Sequence, residues 1–94
     1  MPKVVLASAL ARWLPQAAAG EVALEVDGAT VGTVLDGLFA RHPNLRGYVV
    51  DEHGAVRHHV AVFVDGDAIR DKRDLAQPVG EHAELYVMQA LSGG

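Results

Sequence analysis

Apolar and polar residues alternate along several stretches of the chain and recur at helical spacing along one. In Lys-Val-Val-Leu-Ala-Ser at 3–8, Val4 and Leu6 share one face and Val5 and Ala7 the other, which predicts a first strand. Residues 21–26 repeat the alternation, with Val22, Leu24 and Val26 inward and Glu21 and Glu25 toward water. Val31, Val34, Leu35, Leu38 and Phe39 then form a single helical stripe. Thr30 suits its N-cap, Arg41 and His42 suit its last turn, and Pro43 ends it, predicting a helix over 30–42. Residues 59–65 predict a strand with Val60, Val62 and Val64 inward. Asp65-Gly66 is a tight-turn pair leading to a returning strand at 67–70. Glu84 to Gln89 is the last strand, with Leu85 and Val87 inward.

The connections read less regularly. Ala17 to Gly20 reads as a loop, and Asn44-Leu45 as a tuck after the helix. Tyr48-Val49-Val50 and Val56-Arg57-His58 flank Asp51-Glu52-His53-Gly54 as a short hairpin or an irregular excursion. One long helix among several strands implies that the helix covers one face of a sheet, an α+β two-layer domain.

Ninety-four residues suit one domain spanning 1–94, burying roughly 60–65% of its unfolded surface. Half of the residues are hydrophobic and 21% are charged, a balance that favours folding over disorder. The net charge of -4 argues against nucleic acid or an anionic membrane as partner, and it suits a basic protein partner. No segment approaches the roughly 20 apolar residues of a membrane span. The apolar run at 4–11 faintly resembles a secretory signal, but it is short and Arg12 interrupts it, so a cytoplasmic setting is expected. There is no cysteine, hence no disulfide and no thiolate nucleophile.

Candidate chemistry is sparse inside the chain. The five histidines lack metal-ligand spacing, and a strand at 59 would send His58 and His59 to opposite faces, so no metal is expected. Ser8 and Ser92 lie in no nucleophile motif, and no glycine loop matches a phosphate cradle. No catalytic residue is expected. Two features remain. Tyr86 and Met88 alternate outward on the last strand, and Val5, Ala7 and Ala68 extend that face into a candidate docking patch. Beyond them the chain runs through Leu91, a possible apolar anchor, to Gly93-Gly94. Two residues without Cβ atoms can thread a narrow channel and approach a reactive centre closely.

In this order the elements resemble the ubiquitin-like sulfur-carrier family, which includes the small subunit of molybdopterin synthase and the thiamine-pathway carrier. The matching pieces are Thr30-Val31-Gly32-Thr33-Val34-Leu35-Asp36-Gly37-Leu38, Val62-Phe63-Val64-Asp65-Gly66, Val79-Gly80-Glu81-His82-Ala83-Glu84-Leu85 and Gln89-Ala90-Leu91-Ser92-Gly93-Gly94. With its stretch from Leu45 to Val64 longer than in typical thiamine-pathway carriers, the chain looks most similar to carriers that feed cysteine biosynthesis and to carriers serving specialised metabolites, with the molybdopterin and thiamine pathways left open.

The resemblance implies a β-grasp fold with a flexible tail at 90–94. It also implies a sulfur carrier that acts as a co-substrate rather than an enzyme. A ubiquitin-activating-type adenylating enzyme would use ATP to adenylate the carboxylate of Gly94, with no cofactor held by the carrier itself. A sulfurtransferase or other sulfur donor would convert the adenylate to a thiocarboxylate, and a biosynthetic enzyme would accept the sulfur. Gly93 would give access, and Met88 would occupy an apolar docking position. The contrasting reading is a ubiquitin-like modifier joined to target lysines through Gly94.

Overall fold

A computed structural model describes residues 1–11 and 22–89. In chain order these form β1 (Lys3–Leu6), α1 (Ser8–Ala11), β2 (Val22–Glu25), α2 (Val31–Arg41), a 3₁₀ turn (Pro43–Leu45), α3 (Arg46–Val49), β3 (Val60–Val64), β4 (Asp67–Ala68) and β5 (Glu84–Gln89). The strands make one sheet in the order β2-β1-β5-β3-β4. Strand β5 runs parallel to β1 and antiparallel to β3, so the sheet is mixed and β5 lies at its centre. A mixed sheet packed on one main helix is the β-grasp arrangement, as the resemblance implied.

Helix α2 begins where its sequence can close the exposed amides of a helix start. The Thr30 hydroxyl accepts from the Thr33 backbone N–H at 3.1 Å, and the Thr33 hydroxyl accepts from the Thr30 N–H at 3.0 Å. The next two amides donate outside the helix, Val31 to the carbonyl of Gln77 at 3.0 Å and Gly32 to that of Leu75 at 2.8 Å. Every residue of the expected stripe is buried: Val31, Val34, Leu35, Leu38 and Phe39. They meet the inward side chains of the sheet, Val4, Leu6, Val60, Val62, Leu85 and Val87, in one core cluster. Leu38 is wholly buried in that cluster, so Leu38→Ala is expected to lower unfolding stability by about 2–5 kcal/mol, measured by denaturant titration.

Glycine inside α2 costs helix propensity, yet packing requires it at Gly37. A Cβ there would lie 2.7 Å from Cγ1 of Val26, so the bare backbone lets the chain after β2 approach the helix. The edge strand β2 is also tied to the helix end, where the Arg41 guanidinium donates to the carbonyl of Glu25 at 2.8 Å. At the β3–β4 turn, Asp65 and Gly66 both take positive φ, 51° and 91°, as a tight two-residue hairpin demands.

Several local expectations are corrected. The first strand stops at Leu6, and the chain turns into α1, whose Leu10 and Ala11 complete the core. Pro43 ends α2 but then opens the 3₁₀ turn leading to α3, so Tyr48-Val49 is helical rather than extended. This happens because Leu45 and Val49 lie one helical turn apart and both reach the core. The excursion at 51–55 is closed by a single bridge between Val50 and Val56. The returning strand is only Asp67–Ala68. His58 and His59 lie in a turn before β3 rather than on a strand, and their rings meet edge to face with centroids 5.6 Å apart. The predicted loop at 17–20 and the tail from 90 onward lie outside the described residues.

Candidate functional site

The helix covers one face of the sheet, and among the described residues no helix packs on the other. On that outer face the register aligns one residue from each strand into a row, Ala23, Val5, Tyr86, Phe63 and Ala68. Every member is apolar or aromatic. The adjacent row on the C-terminal side pairs Met88 with Ala61, and the Ala7 amide donates to the Val87 carbonyl at 2.9 Å beside it. On the opposite side of the central row the pattern changes to charge: Glu25, Lys3 and Glu84 lie in register. The Lys3 ammonium and the Glu84 carboxylate are 3.9 Å apart with both side chains about half exposed, a surface pair of small energetic weight. Asp65 continues that rim, its carboxylate accepting from the Glu84 amide at 2.9 Å. The outer face thus carries an apolar belt with a charged margin, and the belt lies toward the C-terminal end of β5.

Tyr86, Met88, Ala7 and Ala68, the docking residues expected from alternation, therefore do fall on one surface. Their exposure differs from the expectation. Tyr86, Met88 and Ala7 are half-buried, Ala68 is exposed, and Val5 is only 9% accessible. Position explains the gradient. Val5 lies on an inner strand with Ala23 and Tyr86 as register neighbours, whereas Ala68 lies on the short edge strand. Val5 is absent from the helix-side core cluster, so its burial comes from the outer face. The same alternation applies to β3: with Val60, Val62 and Val64 inward, Ala61 and Phe63 point outward, and Phe63, which the expected patch lacked, joins Tyr86 at the centre of the belt. Aromatic residues and methionine are the side chains enriched in the dry centres of protein interfaces.

Leu91, Gly93 and Gly94 lie outside the described residues. The anchor of that segment is described: Gln89 pairs with Val60, while Leu85 and Val87 are wholly buried under α2. The last strand is hydrogen-bonded on both sides and pinned from below. Among the described residues no group of three or more His, Asp or Glu side chains is placed to hold a metal, and no helix is long and apolar enough to cross a membrane.

This architecture is shared with known proteins. The ThiS family matches residues 12–94. The chain is 35% identical over 74 residues to small archaeal modifier protein 1 of Haloferax volcanii, covering 78% of this chain and 80% of that protein. The crystal structure of SAMP1 from Haloferax volcanii superposes with a TM-score of 0.75 at 32% identity, covering 99% of this chain and 98% of the other. A chain of the Amycolatopsis orientalis BexX/CysO complex superposes with a TM-score of 0.77 at 25% identity, covering 97% and 99%. Members of this group are small carrier and modifier proteins, not catalysts. The protein, a β-grasp domain of the ubiquitin-like kind, belongs to the ThiS family of sulfur-carrier-like proteins.

Proposed function

We propose that this protein is a cytoplasmic sulfur carrier whose C-terminal Gly94 is adenylated by a partner enzyme and converted to a thiocarboxylate. The observation that carries the proposal is the pairing, in a ThiS-family chain, of a pinned central strand with an apolar belt on its outer face, in a sequence that continues from Gln89 to Gly93-Gly94. The chemistry follows from the carboxylate. A free carboxylate is a poor electrophile, so it needs a leaving group before sulfur can enter. Attack of the carboxylate oxygen on the α-phosphorus of ATP forms the acyl-adenylate and releases pyrophosphate. Hydrosulfide released by a sulfur donor then attacks the carbonyl carbon and displaces AMP, leaving the thiocarboxylate. The chain contributes no thiol to compete for the activated carbonyl, because it has no cysteine.

The proposed division of labour assigns binding to the belt and chemistry to the tail. Met88, Tyr86 and Ala68, joined by Phe63, hold the adenylating enzyme, and Ala7 and Leu91 extend the contact toward the tail. Gly93 and Gly94 enter the partner's active site. The terminus then serves a sulfur-accepting enzyme of a biosynthetic pathway, that of cysteine, a specialised metabolite, molybdopterin or thiamine.

Intact-mass measurement of the protein from its native host tests the carrier reading. The expected result is a species in which one oxygen is replaced by sulfur, localised to Gly94 by fragmentation. Its absence from cells with active sulfur metabolism overturns the proposal. The relative in Haloferax volcanii, a modifier by name, favours one second reading, conjugation of Gly94 to target lysines. Gly-Gly remnants on lysines of other proteins would support that reading in place of the first.

A further inference from the structure

Away from the sheet face, a concave pocket of about 380 Å³ lies between the loop at 51–59 and residues 72–73. Its polar lining is Asp51, Arg57, His58, His59, Lys72 and Arg73, five basic side chains around one carboxylate in a chain of net charge -4. That carboxylate is already engaged. Asp51 Oδ1 accepts from the backbone N–H of His53 at 2.8 Å and of Ala55 at 3.1 Å. The His53 amide above all holds its carboxyl below the usual carboxylate range, with the Ala55 amide and the charge of Arg57 adding to the effect. Among the described residues, none of the ion pairs involves Arg57, His58, His59, Lys72 or Arg73. Among the described residues these basic groups therefore have no carboxylate within ion-pair distance.

The pocket is also built to keep its shape. The Val56 amide donates to the Lys72 carbonyl at 2.9 Å, and the Arg57 amide to the Val49 carbonyl at 3.0 Å. The Arg57 side chain is spent on the Gly47 carbonyl at 2.8 Å. The Lys72 ammonium clamps the carbonyls of His58 at 2.9 Å and Arg57 at 3.3 Å. Three chain segments are cross-tied, so a ligand entering between them would meet walls already ordered, which lowers the cost of binding. What remains available for a ligand is the Arg73 guanidinium and the two imidazoles, each of which donates an N–H in either protonation state.

We infer that this pocket binds a small phosphate-type oxyanion through Arg73, His58 and His59, on a framework held by Lys72 and Arg57. A guanidinium fork presents parallel donors to such an anion, and a recess of this volume lies within the range of small-ligand sites. A flat acidic protein surface would leave the recess unfilled. Inorganic phosphate and the phosphate of a mononucleotide share the recognised chemistry. The site is independent of the Gly94 reaction and can fail or hold without it.

The test is an NMR titration of the full ¹⁵N-labelled chain with inorganic phosphate, against sodium chloride at matched ionic strength. Saturable shifts confined to the amides of His58, His59 and Arg73 are expected with phosphate and absent with chloride. Removing one charge-assisted donor by Arg73→Gln should weaken binding about tenfold or more. Amide dispersion elsewhere in the spectrum verifies that the variant is folded. AMP in a parallel titration separates the two sources: tighter binding than phosphate assigns the site to a nucleotide, and equal or weaker binding to the free ion. Shifts that follow ionic strength alone, unchanged affinity in a folded Arg73→Gln, His59→Gln double variant, or preference for a glutamate-rich peptide over phosphate would each overturn the inference.

Discussion

Deleting Gly94 abolishes adenylation by the partner enzyme and leaves the unfolding transition of the domain where it was. Both halves of that expected result have a physical basis. The residues that hold the end of the fold are Leu85 and Val87, wholly buried, and the last described pairing is Gln89 with Val60. Removing position 94 touches none of them, so stability is retained. Activation is different. Truncation draws the terminal carboxylate back by one residue, roughly 3.3–3.6 Å of extended chain. Reacting atoms tolerate little of that, since misplacement by about 1 Å can cost 10²-fold in rate. The truncated chain would also place Gly93 at the reacting end and the bulkier Ser92 where Gly93 had passed. ATP–pyrophosphate exchange catalysed by the partner, set beside thermal unfolding of both chains, measures the two effects together. Exchange at the wild-type rate would remove Gly94 from the reaction.

The second large effect is expected on the belt. Met88→Asp should weaken association with the adenylating enzyme by about 10–100-fold, as loss of a central interface anchor does. Met88 is half-buried on the outer face, next to Ala61 and one alternation from Tyr86. It takes no part in the core cluster under α2, so the substitution leaves the fold intact. A carboxylate there is solvated in the free protein but must lose water without a partner when an apolar surface closes over it. Calorimetric titration against the enzyme reads the change. Glu52→Ala, in the exposed turn of the 51–55 excursion, serves as the comparison and should bind as the unaltered chain does. Equal affinities for both variants would place the contact elsewhere on the molecule.

The elements with strong periodicity were readable from the sequence because one physical requirement acted on all their residues. The stripe from Val31 to Phe39 is buried without exception, and Glu84–Gln89 matches the final strand residue for residue. Capping by Thr30 and turning at Asp65-Gly66 are local chemistry, and they too are found where residue types placed them. Less was readable where short segments take their conformation from distant partners. The strand expected over 3–8 stops at Leu6, and Ser8–Ala11 coils because Leu10 and Ala11 are needed in the core above the sheet. Arg46–Val49 turns helical so that Val49 can join Leu45 under α2. Gly37 reads as a helix weakness, but its reason is Val26, eleven residues earlier and 2.7 Å from where a Cβ would stand.

The same division applies to function. Alternation alone determined that Tyr86 and Met88 leave the core, and the terminal residue types alone suggested a threading end with a carboxylate. Alternation also offered Val5, Ala7 and Ala68 as an extension of that face, but which of them touch across strands was decided by strand order and register, which no local pattern encodes. The assembled sheet adds Phe63 and sets Val5, Phe63 and Ala68 in one row with Tyr86. Only loop packing gathers Arg57, His58, His59, Lys72 and Arg73 around one pocket. Side-chain direction follows from the backbone's own period and is local. Neighbourhood across strands depends on which surfaces bury the most apolar area together, and that is settled by the whole fold at once.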